Sequence, residues 1–501
     1  MELISCMLFL FLSLSLLLLF NSKRSSSRQW KNKRPPGPKG YPLIGNLLEM
    51  GDKPHQSLAI LAASHGPIMR LKLGQMTTIV ISSAAMAKQV LQTHDQALSD
   101  RTVPHSSTVY DHDKLGFPWL PVSDLWRTLR KVCNNHMFSH NALDSHEPIR
   151  RNNVGRLLAD IRRSAHNGES VDIERAVFGA AFNMLSNTIF SVDLADPNSE
   201  WAKEFKETVW GILEESGKFD VGDYFPVLKW MDLRGSRRRM MVYIKKFLDM
   251  IVEMIEERFR RQEFAGGFDG GHRDMFHNLL NLPKENTYPN FDVYLIKHLI
   301  LVLFPAGTDT TTSTVQWAMA ELLRNRKILL KAQTELREVI GKDPLKESDF
   351  SRLPFLRAIV KETLRLHPPA PLLLPRKARE DTKIEGFLIP KDAQVIVNAW
   401  EIGRDKSIWE DASSFKPERF LGSEIDFKGR NFELIPFGAG RRICPGLPLA
   451  TRMVHWILGS LIHSFDWKLE DGITPETINM DEKVGLTVVM AHPLRAIPLI
   501  V

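Results

Sequence analysis

The residue best suited to chemistry is Cys444, within Pro436-Phe437-Gly438-Ala439-Gly440-Arg441-Arg442-Ile443-Cys444-Pro445-Gly446. Gly438, Gly440 and Gly446 allow tight turns and close approach of the backbone to a ligand. Pro445 suits the first turn of a following helix, which places Cys444 at a helix N-terminus. There the dipole, the free N–H groups and the neighbouring Arg441 and Arg442 favour a thiolate, the donor a soft or borderline metal needs. A dinucleotide site built on Gly438-x-Gly440 is disfavoured, because Ile443 stands where a third glycine is required. The default role of a cysteine is a buried small residue, and Cys6 and Cys133 are assigned it. The 16 histidines are also read as structural.

Two further groups bear on chemistry. Ala306-Gly307-Thr308-Asp309-Thr310-Thr311 falls inside a long apolar segment. Threonines are poor helix material, so this run predicts a local opening that leaves room for a ligand. Pro305 removes one helical hydrogen bond and clashes with the Leu301 carbonyl, at about 3 kcal/mol, and is expected to widen that opening. Glu362 and Arg365 have the spacing of a helix ion pair, and Trp126 and Arg130 share one helix face.

Phe437-x-x-Gly440-x-Arg442-x-Cys444-x-Gly446 resembles the haem-binding signature of the cytochromes P450. The resemblance implies that Cys444 is the axial ligand of the iron of haem b, its thiolate favouring O–O cleavage. It implies that Phe437 and Gly446 belong to the haem-binding segment, and that Arg442, Trp126, Arg130 and, after Pro375, Arg376 meet the haem propionates. By the same resemblance Thr310 steadies the activated oxygen through a hydrogen bond, and Asp309 delivers protons into a site that excludes water. Glu362, Arg365 and Arg419 would form a structural cluster. Arg127 and Lys131 would lie on a surface where a reductase docks.

The wording of Leu71-Lys72-Leu73-Gly74, Trp119-Leu120-Pro121-Val122, Leu372-Leu373-Leu374-Pro375-Arg376-Lys377 and Asp481-Glu482-Lys483 is similar to plant microsomal P450s of the geraniol hydroxylase-like group. The implied activity is hydroxylation of a small apolar substrate, a monoterpenol or a diterpene. It would use O2 and electrons from NADPH through NADPH–cytochrome P450 reductase. Family position places Val109, Phe117, Trp119, Ala306 and Thr310 in the substrate pocket. It adds Ala370, Leu372, Leu373, Leu486 and Thr487. These are mostly apolar, which favours a terpenoid over the zwitterion of tyrosine. Tyrosine or phenol hydroxylation on the same fold is one alternative. A haem-thiolate isomerase or dehydratase that needs no O2 is another, and such enzymes typically lose the acid and threonine present here.

These residues must be positioned by a chain of 501 residues that is 43% hydrophobic and 25% charged, enough for a large core. The net charge of +7 is concentrated in Lys23, Arg24, Arg28, Lys31, Lys33 and Arg34, which excludes nucleic acid as the expected partner. Three cysteines cannot frame a disulfide scaffold, and a reducing compartment fits. Leu3–Phe20 is uncharged and apolar, spanning about 27 Å as a helix. With basic residues following it, residues 1–22 read as an uncleaved single-pass anchor in the endoplasmic reticulum membrane, with the body on the cytosolic side. Residues 23–42 form a basic, proline-rich hinge and 43–501 the catalytic domain. A hairpin is expected over 68–82, helices over most of 84–265, a glycine-rich loop at 264–274, and helices near 294–324, 325–341 and 354–366. Short strands are expected around Pro390 and a final helix after Pro445. The fold class is mainly α with small β-sheets, as the cytochrome P450 resemblance also implies.

Overall fold

The computed structural model describes residues 34–195, 199–264, 274–285, 288 and 291–500. The proposed anchor, Cys6, the first five basic residues of the hinge and nearly all of the glycine-rich loop lie outside the described residues.

The chain enters through α1 (Pro54–His65) into β1 (Ile68–Leu73) and β2 (Met76–Ile81), paired antiparallel from Ile68↔Ile81 to Leu73↔Met76. This is the expected hairpin, turned by Gly74 at φ 56°. After the short β3 (Asp100–Arg101) the chain is helical: α2 (Asp124–Val132), α3 (Glu147–Asn167), α4 (Ile173–Phe190), α5 (Glu200–Ser216) and α6 (Ser236–Phe264). A two-residue strand, β4 (Val171–Asp172), interrupts them. Three long helices follow: α7 (Val293–Arg324), α8 (Arg326–Ile340) and α9 (Pro354–Leu366). Then come β5 (Arg376–Lys377), β6 (Thr382–Ile384), β7 (Phe387–Ile389) and β8 (Gln394–Val397). The last helix, α10 (Leu447–Ser464), leads to β9 (Phe465–Leu469), β10 (Glu482–Val484), β11 (Val488–Met490) and β12 (Arg495–Ile500).

The largest sheet has the order β1-β2-β8-β5-β3, with β2 and β8 parallel and Thr78 opposite Gln394. A three-stranded sheet, β4-β12-β9, joins residues more than 300 positions apart. The expected strands around Pro390 are β7 and β8, and residues 404–436 contain no regular element beyond a single 3-10 turn at Pro417–Phe420.

Helix α7 is the axis of the fold. Asp292 caps it, accepting a hydrogen bond from the Leu295 N–H at 2.8 Å. It is long and apolar enough to cross a bilayer, yet it packs against α4, α5, α6, α9 and α10 inside the body. Phe304 anchors it, its ring 5.1–6.3 Å from those of Phe182, Phe190, Phe205 and Phe247.

The expected opening around 306–311 is not there. The α-helix runs unbroken from Val293 to Arg324, through Pro305. The hydroxyls of Thr308, Thr310, Thr311, Thr312 and Thr314 each bond the carbonyl four residues earlier, at 2.7–2.9 Å. Threonine here stays with the helix's own backbone, and packing outweighs its low propensity. Pro305 is buried within this tightly held segment.

Candidate functional site

Cys444 lies in the connection between a 3-10 turn at Gly440–Arg442 and α10. The helix begins later than the sequence suggests. Gly446 is its N-cap and Pro448 its first-turn proline, so Pro445 lies outside it. Even so, the Gly446 and Leu447 N–H groups act on the Cys444 sulfur and lower its pKa. The Cys444 N–H donates to the Phe437 carbonyl at 3.0 Å, closing the loop on itself. Gly438 and Gly440 hold φ of 70° and 66°, and a Cβ on Gly440 would sit 1.8 Å from the Leu91 carbonyl oxygen.

The arginine that acts on Cys444 is not the expected one. Arg441 turns to Asp95 at 3.3 Å. Arg442 binds the Ser99 and Leu120 carbonyls and lies 5.0 Å above the Trp126 ring. Arg130, from α2, bonds the Ile443 carbonyl at 2.6 Å and lowers the Cys444 pKa. Burial raises that pKa, and the two backbone N–H groups and Arg130 only partly oppose it. The local fold therefore does not by itself deprotonate the sulfur; a bound cation would. Cys133 is buried deeper, its thiol pushed up to about 12 by burial.

Around this loop stand four arginines: Arg101, Arg130, Arg376 and Arg442. Among the described residues none has a carboxylate within ion-pair distance; their hydrogen bonds go to carbonyls of residues 98, 99, 118, 120, 374, 439 and 443. Burial depresses the pKa of Arg376 and Arg442 to about 10; Arg442 lowers that of Arg376 further and Arg130 that of Arg442, while Asp95 and Asp100 oppose the fall from a distance. Arg101 is driven down by burial and by both Arg376 and Arg442. Arg376 and Arg442 are buried and Arg101 and Arg130 partly so, and buried cations without an ion-pair partner are costly. The indole Nε1 of Trp126 is also buried without a hydrogen-bond partner. A cluster of guanidinium groups, an orphan N–H and one sulfur fit a metal-bearing group that carries carboxylates, as haem does. Arg101 was not singled out from sequence. Its only local signal is a lone basic residue beside Pro104, and what brings it here is the pairing of Arg101 with Arg376 in the sheet.

Asp309 and Thr310 face different environments. Thr310 spends its hydroxyl on the Ala306 carbonyl at 2.7 Å. Asp309 accepts a hydrogen bond from the Thr487 hydroxyl, in the turn between β10 and β11. Burial raises the Asp309 pKa, and the Thr487 bond opposes the rise. One turn further along α7, Ser313 donates to the Val488 carbonyl at 2.8 Å, so the same turn is fastened to the helix twice. Glu174 on α4 accepts a hydrogen bond from Gln316 at 3.2 Å, and its pKa is raised by burial, with Asp309 adding to the rise.

Glu362 and Arg365 are buried and paired through two bonds of 2.7 Å. Arg419 reaches Glu362 at 3.0 Å, as does the Lys416 N–H at 2.8 Å. Arg365 also donates to the carbonyls of Gly403, Ala412 and Ser414. Every polar atom of the pair has a partner, which is what makes a buried ion pair tolerable. The three residues join α9 to the irregular 404–436 segment that precedes the Cys444 loop.

The expected pocket residues are dispersed along the site. Phe117 stacks on Trp126 at 5.8 Å. Leu373, at φ 50°, accepts no β-geometry; it bonds the Ala370 carbonyl through its N–H and approaches Gly438. Leu486 packs against the end of α5, where a Cβ on Gly217 would lie 2.5 Å from its backbone nitrogen. Val109 is buried in the helical core, at a kink between it and Tyr110. Ala306 is exposed, Trp119 and Ala370 are partly buried. Leu372 packs instead with the Leu58, Met69 and Ile396 cluster against the sheet.

Residues 35–495 match the family model "Cytochrome P450". The chain is 50% identical to geraniol 8-hydroxylase of Swertia mussotii over 480 residues, 96% of each chain. It is 48% identical to drimenol monooxygenase of Persicaria hydropiper, over 94% of this chain and 93% of that one. A zebra fish cytochrome P450 structure with progesterone superposes with a TM-score of 0.76 at 22% identity, covering 89% of this chain and 99% of the other, which shows the shared fold. The chain belongs to the cytochrome P450 family, and it is a P450 monooxygenase, an oxidoreductase.

Proposed function

We propose that this enzyme hydroxylates a terpenoid alcohol or hydrocarbon with haem b held by Cys444, drawing electrons from NADPH through a membrane reductase. The observation that carries the haem assignment is the set of four arginines without carboxylate partners around the Cys444 loop. Arg101, Arg130, Arg376 and Arg442 would receive the propionates, with the Trp126 N–H as a fifth donor. When bound, haem supplies the one-electron activation of O2.

This chain's own residues would do the rest. The Gly446 and Leu447 N–H groups orient the sulfur and temper its donation. Asp309, its pKa raised by burial, would pass protons from solvent into the oxygen site, and Thr487 fixes its carboxyl. Thr310 would donate its hydroxyl to oxygen after leaving the Ala306 carbonyl. Residues 1–22 would anchor the protein in the endoplasmic reticulum, with residues 43–501 as the catalytic domain in the cytosol.

The terpenoid reading rests on relatives named for geraniol and drimenol, half identical over nearly the whole chain. The test is a binding titration of the purified haem protein with geraniol, drimenol and tyrosine, followed by the shift of the haem absorption band. Saturable shifts with the terpenols and none with tyrosine are expected. A shift with tyrosine alone overturns the reading.

A further inference from the structure

Away from the Cys444 loop, three segments distant in sequence converge on a small polar cluster. His105 opens the 3-10 stretch His105–Asp111, Asp220 caps the short helix Val221–Tyr224, and Asp232 ends the 3-10 turn Pro226–Met231. One nitrogen of His105 and one oxygen from each aspartate lie within 4.8 Å of one another. His105 and Asp220 are 6% and 4% exposed. Their facing atoms, His105 Nδ1 and Asp220 Oδ2, are both buried and neither makes a hydrogen bond. The two atoms are 3.4 Å apart.

We propose that His105, Asp220 and Asp232 bind a divalent transition-metal ion of the zinc type. The facing His105 nitrogen and Asp220 oxygen form no hydrogen bond; a proton on the imidazole would pair them as ions at 3.4 Å, whereas a shared cation satisfies both and engages Asp232 as well. Their separation suits that role. In a tetrahedron with metal–ligand bonds of about 2.0–2.1 Å, the ligand–ligand edge is about 3.3–3.4 Å. A neutral imidazole and two carboxylates cancel the charge of a dication and form a donor set that borderline metals accept. Three protein ligands leave one position for water.

The surroundings hold the ligands in place, as outer hydrogen bonds do in metal sites. The second oxygen of Asp220 accepts the Gly222 N–H at 2.8 Å. Gly222 has no side chain to crowd the site; a Cβ there would lie 3.2 Å from His105 Nδ1. Asp232 accepts the Arg237 and Arg238 N–H groups at 3.2 and 3.0 Å, which fixes its carboxylate. The backbone N–H of His105 donates to Asp223 Oδ1 at 2.6 Å. The competing cation is the Arg238 side chain, 3.5 Å from Asp232 and 76% exposed, so it is free to swing into water.

The ion would tie the stretch that carries Val109 to the connection between α5 and α6. Arg237 already makes one weak link there, to the Thr108 hydroxyl at 3.4 Å. The site is independent of the monooxygenase reading, because it needs neither haem nor Cys444.

The test uses the full chain with haem bound, which keeps Cys444 engaged. Zinc alone is titrated by competition with a chromophoric chelator, and bound metal is counted by elemental analysis after gel filtration. One equivalent of zinc in the wild type is expected, with a rise in Tm on its addition. His105→Ala and Asp220→Asn should each lose that equivalent and the rise while keeping the reduced carbon monoxide spectrum. Asp220→Glu, which retains a carboxylate, checks that any loss is not misfolding and should retain binding. Absence of stoichiometric zinc in the wild type, or equal binding in wild type and both loss variants, overturns the proposal.

Discussion

Thr487→Val tests the fastening of Asp309. Thr487 is 5% exposed, and valine matches its shape, so the change removes the hydroxyl and leaves packing nearly intact. The bond lost runs to a carboxylate. Hydrogen bonds to charged groups contribute about 1.5–3 kcal/mol, against about 0.5–1.5 kcal/mol for neutral pairs. The sign with pH follows from the raised Asp309 pKa, caused by burial and opposed by Thr487. A carboxyl raised in the folded state contributes its stability below the unfolded pKa, about 3.9, and loses it as pH rises through the folded pKa. Removing Thr487 raises that pKa further and steepens the loss. The variant should therefore be about 1.5–3 kcal/mol less stable at neutral pH, with a smaller deficit near pH 4. Urea unfolding followed by circular dichroism at both pH values measures this. A cycle with Asp309→Ala isolates the pair, and Thr487→Ser should restore most of the stability. A deficit that does not change with pH, with serine no better than valine, refutes the reasoning. In turnover, the same variant should form less product per NADPH consumed.

Cys444→Ser should abolish the red-shifted band of the reduced carbon monoxide complex, whereas Cys133→Ser should keep it, since Cys133 is buried in the apolar core. Glu362→Gln leaves Arg365 buried and without its charged partner, and should cost about 3–5 kcal/mol in chemical denaturation, with a matching fall in the fraction of protein that retains haem. Arg101→Leu removes one of the four unpaired cations. It should weaken haem retention on dilution while improving the thermal stability of haem-free protein, and the opposite pair of changes would contradict the propionate assignment.

The Cys444 loop was legible because its requirements are local. Two glycines at positive φ and the cysteine fall within ten consecutive residues directly before a helix, and the spacing of Glu362 and Arg365 places both on one helix face. The extent of α7 was equally readable, since a long apolar run capped by Asp292 has few other ways to satisfy its backbone. The state of that helix at 305–310 was not. Local propensity argues for an opening, but four phenylalanine rings packed around Phe304 keep the helix continuous, and those rings come from three other helices.

By itself, then, the sequence determined which atoms are available: one sulfur on a glycine loop, an acid beside a threonine, an ion pair in a helix. Only the tertiary structure decided their partners. It gave Cys444 the guanidinium of Arg130 rather than Arg441 or Arg442, brought Arg101 to Arg376 across the sheet, and set Thr487 on Asp309 from 178 residues away. Hydrogen bonds and charge repulsion depend on distance in space, and the local spacing of residues does not show which distant groups will meet.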